Sequence, residues 1–441
     1  MSDSFGGDFP QPRRAVLKQL GLAFGAGVLV ANGAAGNGPG IADSVEPDQE
    51  NFTRTDVNIE SHDGTTIVAT FYEPDAEGPH PALLGTHGWA GSRGSLDDVA
   101  GMYANAGYAG LIFDSRGFGE SCGKVSLTGE AEQKDAQELI TWLGNHDAVI
   151  SDGPDNPRLG MDGGSYGGGI QLRVAAYDDR VDAIVPRYTW YDLTYSLFPN
   201  DVLKMGWILG LYVGGGATGE FDQEFSTRAE NIISSGNLSA DDLTYFESRS
   251  TVGYEADSEA SLDVPTLVMQ AFNDRLFTIN EGLANYEWAT DSGVESALLL
   301  GNASAHNLFE GGQPGIEAFD EYSMNAAIAW LDHHLMDEGD HGLAPVTYHD
   351  PVTDTFVESQ EFPPAEASTQ TFSRTLDNPV TLDGPDAEPL TIDWEVEEHL
   401  DIIGVPTLTV AARPTGSGPS NLMVALQRVT AEGASTFIEQ V

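Results

Sequence analysis

Ser165 stands in Gly163-Gly164-Ser165-Tyr166-Gly167, a G-x-S-x-G sequence. An apolar stretch, Leu159-Gly160-Met161, precedes it, and a helix-like run from Ile170 to Ala176 follows. On a sharp strand-to-helix turn a serine projects its hydroxyl as a nucleophile, and glycines two before and two after it let neighbouring backbone pass. Such a serine falls at the carboxyl edge of a parallel sheet, where open α/β folds bind ligands. A bare G-x-S-x-G is also an ordinary glycine-rich turn, so the chemistry rests on its partners. A serine hydroxyl is a weak nucleophile until a histidine takes its proton and a carboxylate orients that histidine.

Both partners follow in the chain. Val264 to Gln270 reads as a buried parallel strand, and Asp274 lies on the turn after it. Ala297 to Leu300 reads as the next strand, and His306 follows in a loop of small residues. The two are 32 residues apart, room for one crossover helix over roughly 281–291. Asp274 is otherwise a turn-capping aspartate. Asn273 beside it lacks the charge to hold a histidinium. Of the ten histidines, His333 and His334 belong to a helical pattern. His87 follows a strand but precedes the serine, the wrong order for the base. The charge that develops on a carbonyl oxygen needs donors as well. The backbone N–H of Tyr166 is one. The other is the N–H of Trp89, in the loop His87-Gly88-Trp89-Ala90-Gly91 after the strand Pro81 to Thr86. An ordinary glycine turn with Trp89 as packing is the alternative there.

The elements that must position these groups follow from hydrophobic pattern. Ala109 to Phe113 is a buried strand ending in Asp114-Ser115-Arg116-Gly117-Phe118-Gly119, where Asp114 and Arg116 fix the loop. Glu130 to Leu143 carries apolar residues at helical spacing. Arg116 to Ser121, Gly163 to Gln171, Val181 to Pro186, Val264 to Leu267 with Asp274, and the segment from Ile403 onward resemble the Xaa-Pro dipeptidyl-peptidase and cocaine-esterase family of serine hydrolases. The likeness runs from about residue 55 to the end. It implies an α/β class chain: an α/β-hydrolase fold with a helical cap inserted after the nucleophile half, then a C-terminal jelly-roll-like β-sandwich. Carried over residue by residue, it gives the same three groups, Ser165, Asp274 and His306. The family's oxyanion tyrosine has no counterpart in Thr86-His87-Gly88-Trp89, so a backbone donor must serve there. Ala271 also stands where the family often has glycine before the acid turn.

Residues 187–262 lack strand alternation and read as the cap. Its aromatic cluster, including Tyr188, Trp190, Tyr191, Tyr195, Phe198 and Trp207, either lines a substrate pocket or forms the cap's own core. The expected organisation is a signal segment over 1–40, a catalytic domain over 51–337 and a sandwich over 343–441. Arg13-Arg14 with the weakly apolar Leu20 to Val30 reads as a twin-arginine export signal, too short to span a membrane. No cysteine follows that stretch to carry a lipid anchor. Short alternating strands at Val346–Tyr348, Thr369–Phe372, Pro406–Val410 and Leu422–Leu426 fit the sandwich, and the chain stops at Val441 in mid-pattern, as a shortened form would.

Composition narrows the partners. Asp and Glu number 69 against 19 Lys and Arg, a formal net charge of −50. Self-repulsion of that size is screened only in concentrated salt, the condition of a halophile. A basic face for nucleic acid is missing. The turn Asp152-Gly153-Pro154-Asp155 reads as a solvated loop in preference to a calcium site. Cys122 is the one cysteine, so no intrachain disulfide forms. No spacing of His and Cys suggests a metal, and no cofactor is expected. The expected protein is a secreted serine hydrolase acting on a small ester or short peptide. Its rival is a non-catalytic surface or carbohydrate-binding protein on a hydrolase scaffold.

Overall fold

The computed structural model describes residues 50–302, 306, 316–336, 339–350, 353–365, 367–368, 371, 425–429 and 435–440. The export-signal reading over 1–40 and the strands expected at 369–372 and 406–410 fall outside the described residues, apart from residue 371.

In chain order the strands are β1 (Phe52–Glu60), β2 (Thr66–Pro74), β3 (Ala82–Thr86), β4 (Ala109–Phe113), a short hairpin of β5 (Ser151–Gly153) and β6 (Asn156–Pro157), β7 (Leu159–Gly164), β8 (Ala183–Arg187), β9 (Thr266–Ala271), β10 (Ser296–Gly301), β11 (Val346–Asp350) and β12 (Thr355–Ser359). Ten of them form one sheet in the order β1-β2-β4-β3-β7-β8-β9-β10-β11-β12. From β4 across to β11 every neighbour is parallel, and antiparallel pairs close each side. The residue types account for this. Every position of β3, β4 and β9 is buried, as in a sheet covered on both faces by crossover helices. Each fully buried leucine there, such as Leu84, Leu111 or Leu267, contributes about 1.5–3 kcal/mol.

The crossovers are α1 (Asp97–Asn105) between β3 and β4, α2 (Glu130–Gly144) before β7, and α3 (Tyr166–Tyr177) between β7 and β8. Helix α3 is apolar nearly all round, the pattern of an enclosed helix, and ten of its side positions are buried. Between β8 and β9 the chain makes the cap: α4 (Leu193–Leu197), α5 (Met205–Thr218), α6 (Gln223–Ser235), α7 (Ala240–Glu247) and α8 (Thr251–Ala256). Then α9 (Ile279–Asp291) joins β9 to β10, and α10 (Ile316–Met336) leads to β11.

Two expectations change. The catalytic sheet does not stop near residue 337, because β11 pairs in parallel with β10 and β12 returns beside it. Val346–Tyr348 therefore belongs to the main sheet and not to a separate sandwich. A buried Val346 completes the apolar layer with Val268, Leu298 and Leu300, which fixes that register. Near the chain's end the hairpin β13 (Ala425–Val429) and β14 (Ser435–Gln440) pairs antiparallel. The Asp152 turn is a solvated hairpin whose carboxylate binds Arg158 at 2.7 Å. No described helix is long and apolar enough to cross a membrane.

Candidate active site

Ser165 occupies the turn between β7 and α3 at φ 55°, ψ −118°. Few non-glycine residues adopt a positive φ, and its cost implies that surrounding structure over-determines the turn. Here the Ser165 N–H donates to the Arg187 carbonyl at 2.9 Å, while its carbonyl accepts from Thr189 Oγ1 at 2.9 Å and from the Gly169 N–H at 3.0 Å. Gly167 is required by a close approach: a Cβ there would lie 2.3 Å from the Thr86 carbonyl oxygen.

Asp274 lies after β9 in a buried loop. Its Oδ1 accepts from the N–H groups of Leu276 and Phe277, both at 2.9 Å, the local turn that aspartate favours. Gln270 Nε2 closes the loop by donating to the Phe277 carbonyl at 2.7 Å. From the cap, Lys204 Nζ donates to the carbonyls of Arg275 and Leu276 at 2.9 and 3.2 Å. The other oxygen, Oδ2, is left for His306 Nδ1, 2.6 Å away. A carboxylate only accepts, so Nδ1 carries the hydrogen and Nε2 presents its lone pair. That lone pair is 2.9 Å from Ser165 Oγ. Three residues from three loops at one sheet edge thus form a continuous chain, carboxylate to imidazole to hydroxyl. Asn273, the neighbour that lacks the charge, makes no hydrogen bond through its buried amide among the described residues.

The loop expected to supply an oxyanion donor packs on the nucleophile: a Cβ on Gly88 would lie 3.7 Å from Ser165 Cβ. His87 is fully buried and explains how the loop is held. Its Nδ1 donates to the Gly88 carbonyl at 2.7 Å, and its Nε2 accepts from the Ser115 N–H at 3.1 Å. Burial holds its pKa below the ordinary imidazole value, so it is a neutral strut with both nitrogens engaged. The Gly88 carbonyl also accepts from the Gly91 N–H at 3.0 Å. Because a trans peptide is planar, fixing that carbonyl fixes the Trp89 N–H on its opposite side. Neither the Trp89 nor the Tyr166 N–H has a hydrogen-bond partner among the described residues. The Trp89 ring does separate work. It packs against Phe118, Tyr166, Phe221 and Phe225, and its Nε1 donates to Leu211 of the cap at 2.8 Å. The Asp114 and Arg116 loop is built as expected. Asp114 accepts from Arg93 and the Glu120 N–H, and Arg116 spans Asp135 and Asp63.

The pocket residues divide. Tyr188 adjoins the nucleophile turn, with Cδ2 3.9 Å from where a Gly164 Cβ would stand. Trp190 is not a pocket residue. Its indole lies beneath α3, where only a glycine at 169 leaves space, and its N–H donates to the Arg249 carbonyl at 2.9 Å, so it is cap core. Tyr191 braces the cap, bonding Glu255 through its hydroxyl and Glu281 through its N–H. The rings that stand against His306 are Phe277, edge-on at 4.9 Å, and Trp207 of α5 at 6.2 Å. Sequence reasoning missed Phe277, although it lies three residues past Asp274 in the same turn.

A further group of side chains meets away from these three residues. Donor atoms of Glu295, His333 and His334 lie within 4.8 Å of one another, brought from two distant segments.

Comparison with known proteins agrees with this architecture. The X-Pro dipeptidyl-peptidase (S15 family) pattern matches residues 63–306, which include all three groups of the chain above. An uncharacterized 31.7 kDa protein from the traX-finO intergenic region of Escherichia coli is 26% identical over 290 residues, covering 61% of this chain and 96% of that protein. Among solved structures, a CocE/NonD family hydrolase from Staphylococcus aureus superposes with a TM-score of 0.52 at 16% identity, covering 72% of this chain and 57% of that one. An aminopeptidase from a marine sediment Thaumarchaeota archaeon gives 0.53 at 16% identity, covering 76% and 62%. These likenesses establish the α/β-hydrolase fold. The chain spans about three fifths of the length of the two solved structures.

Proposed function

The chain belongs to the X-Pro dipeptidyl-peptidase (S15) family of serine hydrolases, and from that premise we propose that it cleaves small carboxylic esters or short peptide amides through an acyl-enzyme on Ser165. The observation that carries this reading is the unbroken Asp274–His306–Ser165 relay at 2.6 and 2.9 Å.

Each step follows from the geometry. His306 Nε2 takes the Ser165 proton as Oγ attacks the carbonyl carbon, and the imidazolium that forms is stabilised by the Asp274 carboxylate. The fixed N–H groups of Tyr166 and Trp89 receive the oxyanion. His306 returns its proton to the leaving alcohol or amine. It then removes a proton from water, whose attack frees the acid and restores Oγ–H. Phe277 and Trp207 pack against the His306 ring and help hold it in line with Ser165. Export by the twin-arginine route and work in concentrated salt belong to the same proposal, supported by the Arg13-Arg14 segment and the net charge of −50.

The test is Ser165→Ala. It should lower p-nitrophenyl acetate turnover in concentrated salt by roughly 10⁴-fold or more and abolish fluorophosphonate labelling. Undiminished turnover would refute the nucleophile. A wild-type chain that is folded yet inert to the fluorophosphonate would favour a binding protein instead. Comparing that ester with Gly-Pro-p-nitroanilide separates esterase from dipeptidyl-peptidase.

A further inference from the structure

We propose that Glu295, His333 and His334 bind a borderline transition cation, zinc(II) foremost, that ties the start of β10 to the carboxyl end of α10. The three donors lie within 4.8 Å of one another. Zinc bonds of about 2.0–2.2 Å place tetrahedral donors roughly 3.3–3.6 Å apart, so small side-chain rotations close the set.

The hydrogen bonds already present prepare the nitrogens. His333 Nδ1 lies 2.9 Å from the Gly339 carbonyl, which only accepts, so Nδ1 carries the hydrogen and Nε2 keeps its lone pair. His341 Nδ1 accepts from the Leu343 N–H at 3.0 Å, so its Nε2–H donates to Glu295 Oε1 at 3.0 Å. His341 is therefore no ligand in this arrangement. It orients the carboxylate, the support that metal ligands usually have. His334 supplies the independent observation. Its side chain is only 9% exposed, and its Nε2 is buried with no hydrogen-bond partner among the described residues. A buried polar atom without a partner is costly, and this one faces Glu295 Oε2 at 4.0 Å.

The donor set discriminates among cations. Two imidazoles and one carboxylate suit zinc, copper or nickel, whereas magnesium and calcium prefer oxygen alone. One carboxylate and two neutral rings leave a net positive site when a divalent ion binds. The surrounding charge of −50 favours that occupancy. Glu295, half exposed, leaves the entry path open.

The experiment uses the untagged full chain, stripped with chelator, in concentrated salt with excess magnesium to occupy surface carboxylates. Zinc is titrated calorimetrically and the melting midpoint is followed. We expect about one equivalent bound and a higher midpoint, since an ion that binds only the folded state stabilises it. His334→Ala and Glu295→Gln should each abolish both effects, and His341→Gln should weaken binding by about 10–100-fold. Circular dichroism and p-nitrophenyl acetate turnover in the same variants report that the fold persists. Glu295→Gln keeps the test decisive should the packed His334 variant misfold. No uptake above the magnesium background, or wild-type affinity in Glu295→Gln, would overturn the proposal.

Discussion

At the scale of single residues, the site depends on which atoms are already engaged. Asp274 Oδ1 is saturated by two backbone N–H groups, so Oδ2 alone faces His306 and sets the imidazole tautomer. Asp274→Asn keeps the Oδ1 acceptor but turns an amide N–H toward Nδ1. The ring must then hold its hydrogen on Nε2, where it cannot accept from Ser165. We expect kcat to fall by roughly 10⁴ while the melting midpoint changes little, measured by steady-state kinetics and thermal unfolding. Retention of more than a tenth of wild-type kcat would contradict the orienting role. Ser165, Asp274 and His306 were legible in the sequence because strand patterns put each just past a strand end. Phe277 was not singled out, and Trp207 entered only as one of six cap aromatics, because nothing in a linear chain says which aromatic rings of a cap or loop face one histidine.

At the scale of elements, the cap is fixed to the sheet domain through a buried carboxylate on α9. Glu281 accepts from the N–H groups of Tyr191 and Asp192 at 2.6 and 2.8 Å and from Ser196 Oγ at 2.7 Å. Burial outweighs these donors and raises its pKa to about 7. A carboxyl whose folded pKa exceeds its unfolded value of about 4.5 adds stability below that value. The contribution is lost as pH rises through about 7. Chemical denaturation of the wild type should therefore show stability falling by up to about 3 kcal/mol from pH 4.5 to above 7 on this account. Glu281→Gln should flatten that slope, and an unchanged slope in the variant would remove Glu281 as its source. The cap was recognisable from its lack of strand alternation. Its anchorage was not, because Glu281 reads as a surface helix residue until α9 is seen packed beneath the Tyr191 to Ser196 turn.

At the scale of the whole molecule, charge and topology act on different things. A net charge of −50 in 441 residues opposes compaction at low ionic strength. Screening shortens from about 10 Å at 0.1 M salt to about 3 Å at 1 M. The melting midpoint should therefore climb steeply from about 0.1 M to about 2 M potassium chloride, and a flat dependence would argue against adaptation to salt. The sequence alone determined the strands that carry Ser165, Asp274 and His306, the nucleophile turn and the acidic composition, because these are written in local pattern, spacing and composition. Only the tertiary structure decided that β11 and β12 extend the catalytic sheet, that Trp190 is buried beneath α3, and that Glu295 meets His333 and His334. Those facts depend on which edges and faces meet after the chain has folded, and contacts between distant segments leave no periodicity in the segments themselves.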